Sequence, residues 1–454
     1  MHRNKPDLNQ DTLPSVAGNG LMDRRLFLQA GLSFGVITLG TKLLLDASAA
    51  EQQEDTINPA SPPWMHKPGE PFSTYGVPSV FENDVVRFPS ANQAVPGNGV
   101  SWCPLHRLEG MITPNGLHFE RHHNGVPQID PGKHRLLIHG QVRNPTFFGI
   151  DSLLRYPMTS RICFVECGGN SNGGWNKAPL RSEAGYFHGL VSCSEWTGVP
   201  LATVLDEVGI SGKAKWILAE GADAFAMNIS IPLELALEEG MLALYQNGER
   251  LRPENGYPLR LILPGLEGVL NVKWLRRLKL TDRPGMSRNE TSKYTELLPS
   301  GKARMFTFHI EAKSLITSPS ANMILKGPGL YSITGLAWSG RGKINKVEVS
   351  ADGGKTWAEA ELQEPVLPKA FTRFRIPWQW NGKPAVLKSR AIDETGYVQP
   401  ERNKLVAERG RHGFFHYNAI VTWKIDEDGV VSHIYEQDEV PEDTDTIRID
   451  TGWD

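Results

Sequence analysis

The spacing of apolar residues divides the chain into two parts with different predicted secondary structure. Between about residues 100 and 305, Pro200 precedes apolar residues at helical spacing and Gly209 follows them, which predicts a helix bounded by these two residues. Four short apolar runs in the same part are typical of strands: KWILA at 215–219, MLALYQ at 241–246, PLRLIL at 258–263 and VKWLRRLKL at 272–280. A mixed α and β domain is therefore predicted.

The pattern changes after about residue 305. Four segments, YSITGLAWS, INKVEVSADGGKTWAEAEL, FTRFRIPWQW and AVLKSRAID, alternate apolar and polar residues, and Asp352-Gly353-Gly354 predicts a hairpin turn. Short strands without helices predict an immunoglobulin-like β-sandwich over 306–435, so the expected fold class is α+β. On this pattern alone the sandwich could equally bind a carbohydrate or a partner protein.

The segment RICFVECGGNSNGGW at 161–175 carries the strongest candidate for chemistry. Its apolar run predicts a buried strand that stops at Cys167, beside a loop lined by glycine. A thiolate at that position can bind a soft metal in a large cofactor, whereas the alternative is a small structural cysteine beside a turn. Cys163, on the same strand, is expected to be in the core, and Cys103 and Cys193 to be structural.

The N-terminal residues have the pattern of an export leader. Asp23-Arg24-Arg25 precedes an apolar run at 31–41 and the small residues Ala47-Ser48-Ala49-Ala50, which predicts a twin-arginine leader over 1–50 and a periplasmic protein. The alternative is an amphipathic anchor, but the run is too short to cross a membrane, so no stable membrane insertion is expected. Eight prolines in 51–100 predict an extended arm, and 436–454 form an acidic tail.

Composition narrows the classes of function. A length of 454 residues allows two or three domains, and a net charge of −3 argues against a nucleic-acid binder. Four cysteines are too few for a disulfide scaffold. No Cys-x-x-Cys-His is present, so no covalent haem is expected in this chain.

Several segments in order resemble the sulfite oxidase family of molybdenum enzymes. Cys167 to Asn170 resembles the Cys-Ala-Gly-Asn signature of that family. The other matching segments are FERHHNGVPQID at 119–130, GLVSCSEWTGVPLATVLDEVGI at 189–210, GADAFAMNISIP at 221–232, NGERLRPENGYPLRLILPGLEGVLNVKWL at 247–275 and SKYTEL at 292–297. The resemblance covers about residues 100–430 and is strongest to SoxC-type molybdenum subunits. It implies a molybdopterin-binding domain over 101–305 and a dimerisation domain over 306–435.

The resemblance also implies the cofactor and the residues that hold it. Molybdenum bound to molybdopterin is expected, with Cys167 as the protein ligand, Arg121 as the substrate arginine and Tyr294 as the active-site tyrosine. The residues expected to bind the cofactor are Phe119, Arg121, His122, His123, Cys167, Asp223, Asn255, Arg260, Asn271, Val272 and Lys273. Asn255 stands where the family has a histidine. The alternatives for His122 and His123 are a surface pair or a zinc site, although adjacent residues on a strand point to opposite faces.

Departures from the family pattern concern the substrate. Asn172 stands where sulfite oxidases have an arginine, and Tyr186 stands where they have a tryptophan. Arg375 is a candidate for a second positive charge in the pocket. Arg373 is the alternative residue for the same position in the family pattern. Less positive charge suggests that the sulfur is carried on a larger molecule, with free sulfite as the simpler alternative.

The expected function is the oxidation of carrier-bound sulfane sulfur or sulfite by oxygen transfer from water. Electrons would pass to a c-type cytochrome subunit of SoxD type, the substrate would come from a Sox sulfur carrier protein, and the chain would form a homodimer or a heterotetramer. The competing hypotheses are a sulfite dehydrogenase for free sulfite, a molybdenum enzyme that reduces methionine sulfoxide or nitrate, and an exported β-sandwich scaffold without catalysis.

Overall fold

The computed structural model of the protein describes residues 15–23, 62–305, 307–410 and 413–435. The arginine pair, the apolar run and the small residues of the predicted leader lie outside these ranges, as does the acidic tail. No helix in the described part of the chain has the length and apolar character needed to cross a membrane.

Strands dominate the described residues. In chain order they are β1 (Ser15–Ala17), β2 (Leu21–Met22), β3 (Phe88–Ala91), β4 (Gly99–Trp102), β5 (Glu120–His122), β6 (Arg135–Gly140), β7 (Thr146–Gly149), β8 (Thr159–Glu166), β9 (Val191–Pro200), β10 (Trp216–Gly221), β11 (Asn228–Pro232), β12 (Met241–Gln246), β13 (Glu249–Arg250), β14 (Arg260–Ile262), β15 (Leu275–Thr281), β16 (Thr295–Leu297), β17 (Ala303–Met305), β18 (Lys313–Ser318), β19 (Gly329–Trp338), β20 (Ile344–Ser350), β21 (Ala358–Glu359), β22 (Glu361–Leu362), β23 (Thr372–Trp380), β24 (Ala385–Asp393), β25 (Thr422–Ile425) and β26 (Val431–Ile434).

The helices are short. The α-helices of the described residues are α1 (Ile150–Leu153), α2 (Ala184–His188), α3 (Leu201–Val208), α4 (Leu233–Glu239), α5 (Arg288–Ser292) and α6 (Arg402–Arg409). Single turns of 3₁₀ helix occur at Pro63–His66, Val80–Glu82, Leu105–Arg107, Asn115–Leu117, Asn172–Trp175, Pro253–Asn255 and Gly268–Leu270.

Two sheets pack face to face in the mixed domain. One has the order β11-β10-β15-β6-β7, with β15 and β6 parallel, and the other has the order β13-β12-β9-β8, with β14 paired to β12. Apolar side chains from both sheets and from α3 fill the space between them and exclude water from it. The predicted helix after Pro200 is confirmed as α3, whose Leu201, Val204, Leu205 and Val208 are all buried.

Two further sheets form the predicted β-sandwich. One contains β1-β2-β23-β19-β18 with β22 on β23, and the other has the order β21-β20-β24-β25-β26. Large side chains from both sheets form its core, among them Trp338, Phe374, Trp378 and Trp423. The hairpin prediction is confirmed, since β20 and β21 are antiparallel and both Gly353 and Gly354 have positive φ.

The expectation of a sandwich without helices is wrong, because α6 follows β24. Leu405 and Val406 of α6 pack with Trp175 and Tyr417 in a small separate core. The helix thus covers a contact between the sandwich and the loop after Cys167.

The four predicted strands of the mixed domain are present with different ends. MLALYQ forms β12 with the predicted bounds. KWILA, predicted at 215–219, corresponds to β10, which covers Trp216–Gly221. PLRLIL shortens to β14, and VKWLRRLKL begins as a strand only at Leu275, because the chain turns at Trp274 with a φ of 52°. That turn holds Lys273 beside the cavity described below.

The predicted arm is partly a sheet. Residues 62–87 contain the two 3₁₀ turns and many exposed side chains, but Phe88–Ala91 forms β3, which pairs with β4, and β4 pairs with β5. This small sheet brings the end of the arm against the strand that carries Arg121 and His122.

Candidate active site

Cys167 directly follows β8 and begins a tight loop. Its amide donates to the Leu190 carbonyl (2.9 Å), and the Asn170 amide donates back to the Cys167 carbonyl (2.9 Å). A Cβ at Gly168 would lie 1.9 Å from the buried Glu267 Oε1, which favours glycine at that position. The predicted strand, its end and the glycine-lined loop are therefore confirmed.

A cavity of about 90 Å³ opens beside the Cys167 side chain. Eleven of the predicted site residues line it, and they come from β5 and its flanks, the cysteine loop, the turn after β10, β14, the turn before β15 and the segment after α5: Phe119, Arg121, His122, His123, Cys167, Asp223, Arg260, Asn271, Val272, Lys273 and Tyr294. The chain thus brings together groups that lie up to 175 positions apart, counted from Phe119 to Tyr294. Most of the candidate site is one physical pocket.

Cys167, Arg121 and Tyr294 form an electrostatically coupled group. Burial raises the pKa of the Cys167 thiol to about 11, while the Gly169 amide and the Arg121 charge act to lower it. Burial lowers the pKa of Arg121, against the influence of Tyr294 and Cys167. Burial also raises the pKa of the Tyr294 hydroxyl, so the tyrosine is a neutral hydrogen-bond donor at neutral pH.

Buried positive charge is the second feature of the cavity. Burial lowers the pKa of Arg260 to about 9, and it lowers the pKa of Lys273 well below its usual range, with the charge of Arg260 adding to the effect. Lys273 Nζ donates to the carbonyls of Arg121 (3.2 Å) and Glu254 (3.1 Å). Two buried cations that repel each other beside a cavity suit an anionic ligand such as a phosphate, which would offset their desolvation.

His122 belongs to a hydrogen-bonded chain. Lys273 Nζ donates to His122 Nδ1 (2.9 Å), and His122 Nε2 donates to Glu120 Oε2 (2.7 Å). Burial, with the Lys273 charge next in effect, lowers the pKa of His122 to about 4, so the ring is neutral near pH 7. The adjacent His123 instead stacks on Phe225, with ring centroids 4.2 Å apart. Among the described residues no group of three or more His, Cys, Asp and Glu is arranged to hold a metal ion.

Two predicted cofactor residues support the others. Asn255 is buried but does not line the cavity. Its backbone carbonyl accepts from Arg260 Nη1 (3.0 Å), and its side-chain Nδ2 donates to Gln246 Oε1 (2.9 Å). Asn271 Oδ1 accepts from the Leu263 amide (2.7 Å) and so fixes the turn after β14. Asn255 therefore positions Arg260, which differs from direct contact with a cofactor.

Three predicted substrate residues do not line the cavity. Asn172 begins the 3₁₀ turn after the cysteine loop, and Tyr186 packs on Phe88 and Trp102. Arg375 Nη2 pairs with Glu109 Oε2 at 3.2 Å. The competing Arg373 also faces Glu109 and donates to the carbonyls of Leu108 and Gly110. These arginines join the sandwich to the segment before β5, so the structure gives no support for their role in the pocket.

Comparisons with known proteins agree with this geometry. The family model "Oxidoreductase molybdopterin binding domain" matches residues 123–289, and "Mo-co oxidoreductase dimerisation domain" matches residues 304–423. A crystal structure of the sulfane dehydrogenase SoxCD from Paracoccus pantotrophus is 43% identical, with a TM-score of 0.82, over 85% of this chain and 100% of that one.

The chain belongs to the sulfite oxidase family. It is a SoxC-like member, with the molybdopterin-binding and dimerisation domains expected from the sequence.

Curated relatives in the family are more distant. Mitochondrial sulfite oxidase of Mus musculus is 32% identical over 348 residues, which is 71% of this chain and 63% of that protein. An NADH nitrate reductase of Solanum lycopersicum is 30% identical over 342 residues, which is 66% of this chain and 37% of that protein. The chain therefore spans less than two thirds of the length of these relatives.

Sequence reasoning missed five residues that line the cavity of this sulfite oxidase family member: Met227, Glu254, Gly268, Val269 and Trp274. Glu254 directly precedes Asn255, and Trp274 directly follows Lys273, so both are next to predicted residues. Lys273 Nζ lies 4.4 Å from the centre of the Trp274 ring. The sandwich also contributes Phe415, which stacks on Tyr294 with ring centroids 5.1 Å apart. No motif in HGFFHYN marks that contact.

A buried polar network connects the cysteine loop to the sandwich. Lys313 Nζ from β18 lies 3.4 Å from Glu166 Oε1 and donates to Ser171 Oγ (2.5 Å), while Trp338 Nε1 donates to Glu166 Oε2 (2.6 Å). Asn170 Nδ2 also donates to Glu166 Oε1 (2.8 Å). The dimerisation domain thus fixes the two residues that flank the Cys167 loop, in addition to any role in pairing chains.

Proposed function

We propose that this protein is a molybdenum-dependent dehydrogenase of reduced sulfur. The observation that carries the proposal is the cavity that Cys167, Arg121 and Tyr294 line together. The similarity to sulfite oxidase and to SoxCD supports oxidation of a sulfur group. The intact site also disfavours a scaffold protein that has lost its catalytic function.

The residues present fit molybdopterin. Lys273 and Arg260 are buried cations at the cavity, suited to the phosphate of the cofactor, and the backbone of the Asn271-Val272-Lys273 turn lies in the lining. Cys167 supplies the soft anionic ligand that molybdenum requires. When bound, the cofactor supplies the two-electron chemistry by which oxygen from water is added to sulfur.

The other residues bind and orient the substrate. Arg121 offers a fixed charge to an anionic sulfur group, and Asn98 Oδ1 holds its Nη1 at 2.9 Å. Tyr294 keeps its proton because it is buried, so its hydroxyl donates a hydrogen bond to an oxygen of the substrate or product. Phe415 covers the Tyr294 ring and limits the entry of water on that side.

The substrate we favour is sulfane sulfur attached to a carrier protein, with free sulfite as the alternative. The described arginines that line the cavity are Arg121 and Arg260, since Arg375 is held by Glu109 and Asn172 lies outside the lining. Additional cations in the pocket would strengthen the binding of a small dianion such as sulfite more than the binding of sulfur attached to a carrier protein. The SoxCD structure, described as a sulfane dehydrogenase, also supports this choice.

Side-by-side assays of the two substrates test the proposal. Purified protein with cytochrome c should oxidise carrier-bound sulfane with a higher kcat/KM than free sulfite, and molybdenum and pterin should each be present at about one per chain. A Cys167→Ala variant is the inactive control. A preference for sulfite would favour the alternative substrate, and absence of molybdenum from active protein would overturn the assignment.

We also propose that the protein acts in the periplasm, after export on a twin-arginine leader. Support comes from Asp23-Arg24-Arg25 and the following apolar run. The export route carries folded proteins, which suits a cofactor inserted before export. Changing both Arg24 and Arg25 to lysine should leave the protein in the cytoplasm, as measured by fractionation, and normal periplasmic recovery would contradict the leader assignment.

A further inference from the structure

The segment just before the arginine pair is docked on the β-sandwich. Residues 15–22, which we call the N-terminal hairpin, form β1 and β2, with Gly18, Asn19 and Gly20 in the turn between them. Leu21 pairs with Trp378 of β23, so the hairpin extends one sheet of the sandwich. This segment lies within the predicted leader, more than 300 residues from its partners in sequence.

The contacts are specific to the hairpin. Leu21 is fully buried and joins the apolar core of the sandwich. The Asn19 carbonyl accepts from Trp378 Nε1 (2.7 Å), and its side-chain nitrogen donates to the Ala351 carbonyl (2.8 Å). The Gly20 carbonyl accepts from the Gln379 amide (2.9 Å).

Both turn glycines approach the sandwich closely, and at Gly20 the nearest atom is backbone, which leaves no room for a side chain, whereas at Gly18 it belongs to a side chain. A Cβ at Gly20 would lie 2.1 Å from the Gln379 carbonyl oxygen, and one at Gly18 would lie 2.2 Å from Asp352 Oδ2. Asn19 and Gly20 have positive φ, which suits asparagine and glycine. The Gly18 amide also donates to Thr356 Oγ1 (2.6 Å). The receiving surface therefore selects this turn by shape as well as by hydrogen bonding.

The receiving surface exists only in the folded sandwich. It combines the end of β23 at 378–379 with the loop at 351–356, which are separate in sequence. A bridge between Asp352 and Val386 joins the loop to β24, the strand that follows β23. On the side of β23 away from β19, β22 pairs with Phe374 and Arg375, and the hairpin pairs with Trp378. Without the hairpin, the end of this edge would have no pairing strand in the described part of the chain.

We propose that the end of β23 and the loop 351–356 form a peptide-binding site whose ligand is the N-terminal hairpin. Binding is by strand addition, with Leu21 as the apolar anchor and the Gly-Asn-Gly turn as the specific element. In the precursor the site holds the segment that precedes Arg24 and Arg25 on a folded domain and covers an exposed strand edge. Removal of residues 1–50 would empty the site. The proposal does not depend on the reaction at Cys167.

Hydrogen exchange on the full chain tests the site. Leu21→Asp places a charge in the buried anchor position, and exchange of the Gln379 amide should become faster by about tenfold or more, because its acceptor is lost. Val16→Asp is the matched control, because Val16 is 44% exposed and belongs to the same hairpin, and exchange of the Gln379 amide in this variant should equal that in the wild type. Equal exchange in wild type and Leu21→Asp would overturn the proposal.

A second measurement separates docking from misfolding. A synthetic peptide of residues 14–23, added to the Leu21→Asp protein, should restore protection of Gln379 in a saturable manner. The same peptide with its Gly20 replaced by valine should not, since that Cβ meets the Gln379 carbonyl. Failure of the natural peptide to protect Gln379, or equal protection by both peptides, would overturn the proposal.

Discussion

At the scale of single residues, Cys167 shows how a chain prepares a metal ligand. A thiol with a pKa of about 11 is protonated at pH 7, and Arg121 and the Gly169 amide offset only part of the cost of burying a thiolate. A bound metal ion would hold the sulfur in its anionic form. Gly168 and Gly169, which follow Cys167, add no side chains beside the ligand position.

Cys167→Ser should abolish turnover and leave the fold intact. Serine offers a harder oxygen that molybdenum accepts poorly in place of the thiolate. The free energy of unfolding of the cofactor-free protein, followed by its thermal transition, should change by no more than about 1 kcal/mol, because the substitution replaces one sulfur atom by one oxygen atom. Activity and molybdenum content of both proteins measure the effect, and activity like that of the wild type would contradict the ligand assignment.

Replacing Lys273 tests whether this residue binds the cofactor. Lys273→Met removes a cation whose pKa is lowered by burial and by Arg260, so loss of the charge itself should cost the cofactor-free protein little stability, and the cost that remains is that of its hydrogen bonds to Arg121, Glu254 and His122. A charge-assisted contact to a phosphate is worth about 1.5–3 kcal/mol, which corresponds to a loss of about tenfold to a hundredfold in cofactor affinity.

Pterin released from the purified variant, per chain, is the readout for Lys273→Met. Lys279→Met is a matched control, because Lys279 lies on β15 with its side chain outside the cavity lining. Equal pterin content in the wild type and the Lys273 variant would show that this lysine does not hold the cofactor.

At the scale of elements, β18 of the sandwich and β8 of the mixed domain are connected through charge. Lys313 and Glu166 are both buried, at 1% and 4% exposure, so each depends on the other. Lys313→Met should leave the Glu166 carboxylate without its cation and reduce stability by about 3–5 kcal/mol.

The double variant Lys313→Met/Glu166→Gln tests whether charge is the reason. It removes both charges and should recover most of the stability lost in the single variant, as measured by the denaturant midpoint. If the double variant is no more stable than Lys313→Met alone, packing rather than charge explains the effect.

Strand β26 brings a buried histidine against the mixed domain. His433 Nδ1 donates to the Leu180 carbonyl (3.2 Å), and burial lowers the pKa of His433 from 6.5 to about 4. Between these two pH values the unfolded chain binds the proton and the folded chain does not. The contribution to stability is therefore present above pH 6.5 and lost as the pH falls toward 4, by up to about 3 kcal/mol.

His433→Gln should flatten the dependence of unfolding free energy on pH in that range, because glutamine does not titrate. His66→Gln, at an exposed position, is the control and should leave the slope unchanged. An unchanged slope in the His433 variant would mean that other groups dominate acid unfolding.

Periodicity in the sequence predicted the elements that depend on local pattern, such as β12 and α3. It could also have found α6, whose buried Arg402, Leu405, Val406 and Arg409 follow helical spacing. Position in the family pattern predicted the cavity residues Cys167, Lys273 and Tyr294. It misplaced Arg375, because whether that side chain faces the pocket or Glu109 depends on how the sandwich packs on the mixed domain.

The same limit applies to Lys313. The alternation in KSLITS gives no sign that a lysine is buried, because its partner Glu166 lies 147 positions away. Contacts between distant segments are set by tertiary packing, which a single sequence does not record.

At the scale of the whole molecule, the cysteine loop lies where the two domains meet. The sandwich contributes Lys313 and Trp338 behind the loop and Phe414 and Phe415 in front of it. Both domains are therefore needed to shape the site, and we expect the cofactor domain alone to hold the Cys167 loop poorly.

Electron transfer is the last step that the architecture must allow. Oxidation of sulfur by oxygen transfer releases two electrons, and the sequence has no Cys-x-x-Cys-His for attaching a haem. The similarity to the Paracoccus pantotrophus SoxCD structure supports a SoxD-like partner, and a c-type cytochrome as the acceptor stays a prediction from the sequence. We expect the isolated protein to oxidise about one equivalent of substrate per chain and then to stop.

Continuous turnover should begin only when a c-type cytochrome or an artificial acceptor is added. The measurement is product formed per chain, first without an acceptor and then with increasing cytochrome c, with Cys167→Ser as the control that forms no initial product. Because a surface acceptor binds through complementary charge, the rate should also fall as ionic strength rises. Sustained turnover on dissolved oxygen alone, at a rate that no acceptor improves, would refute the partner hypothesis.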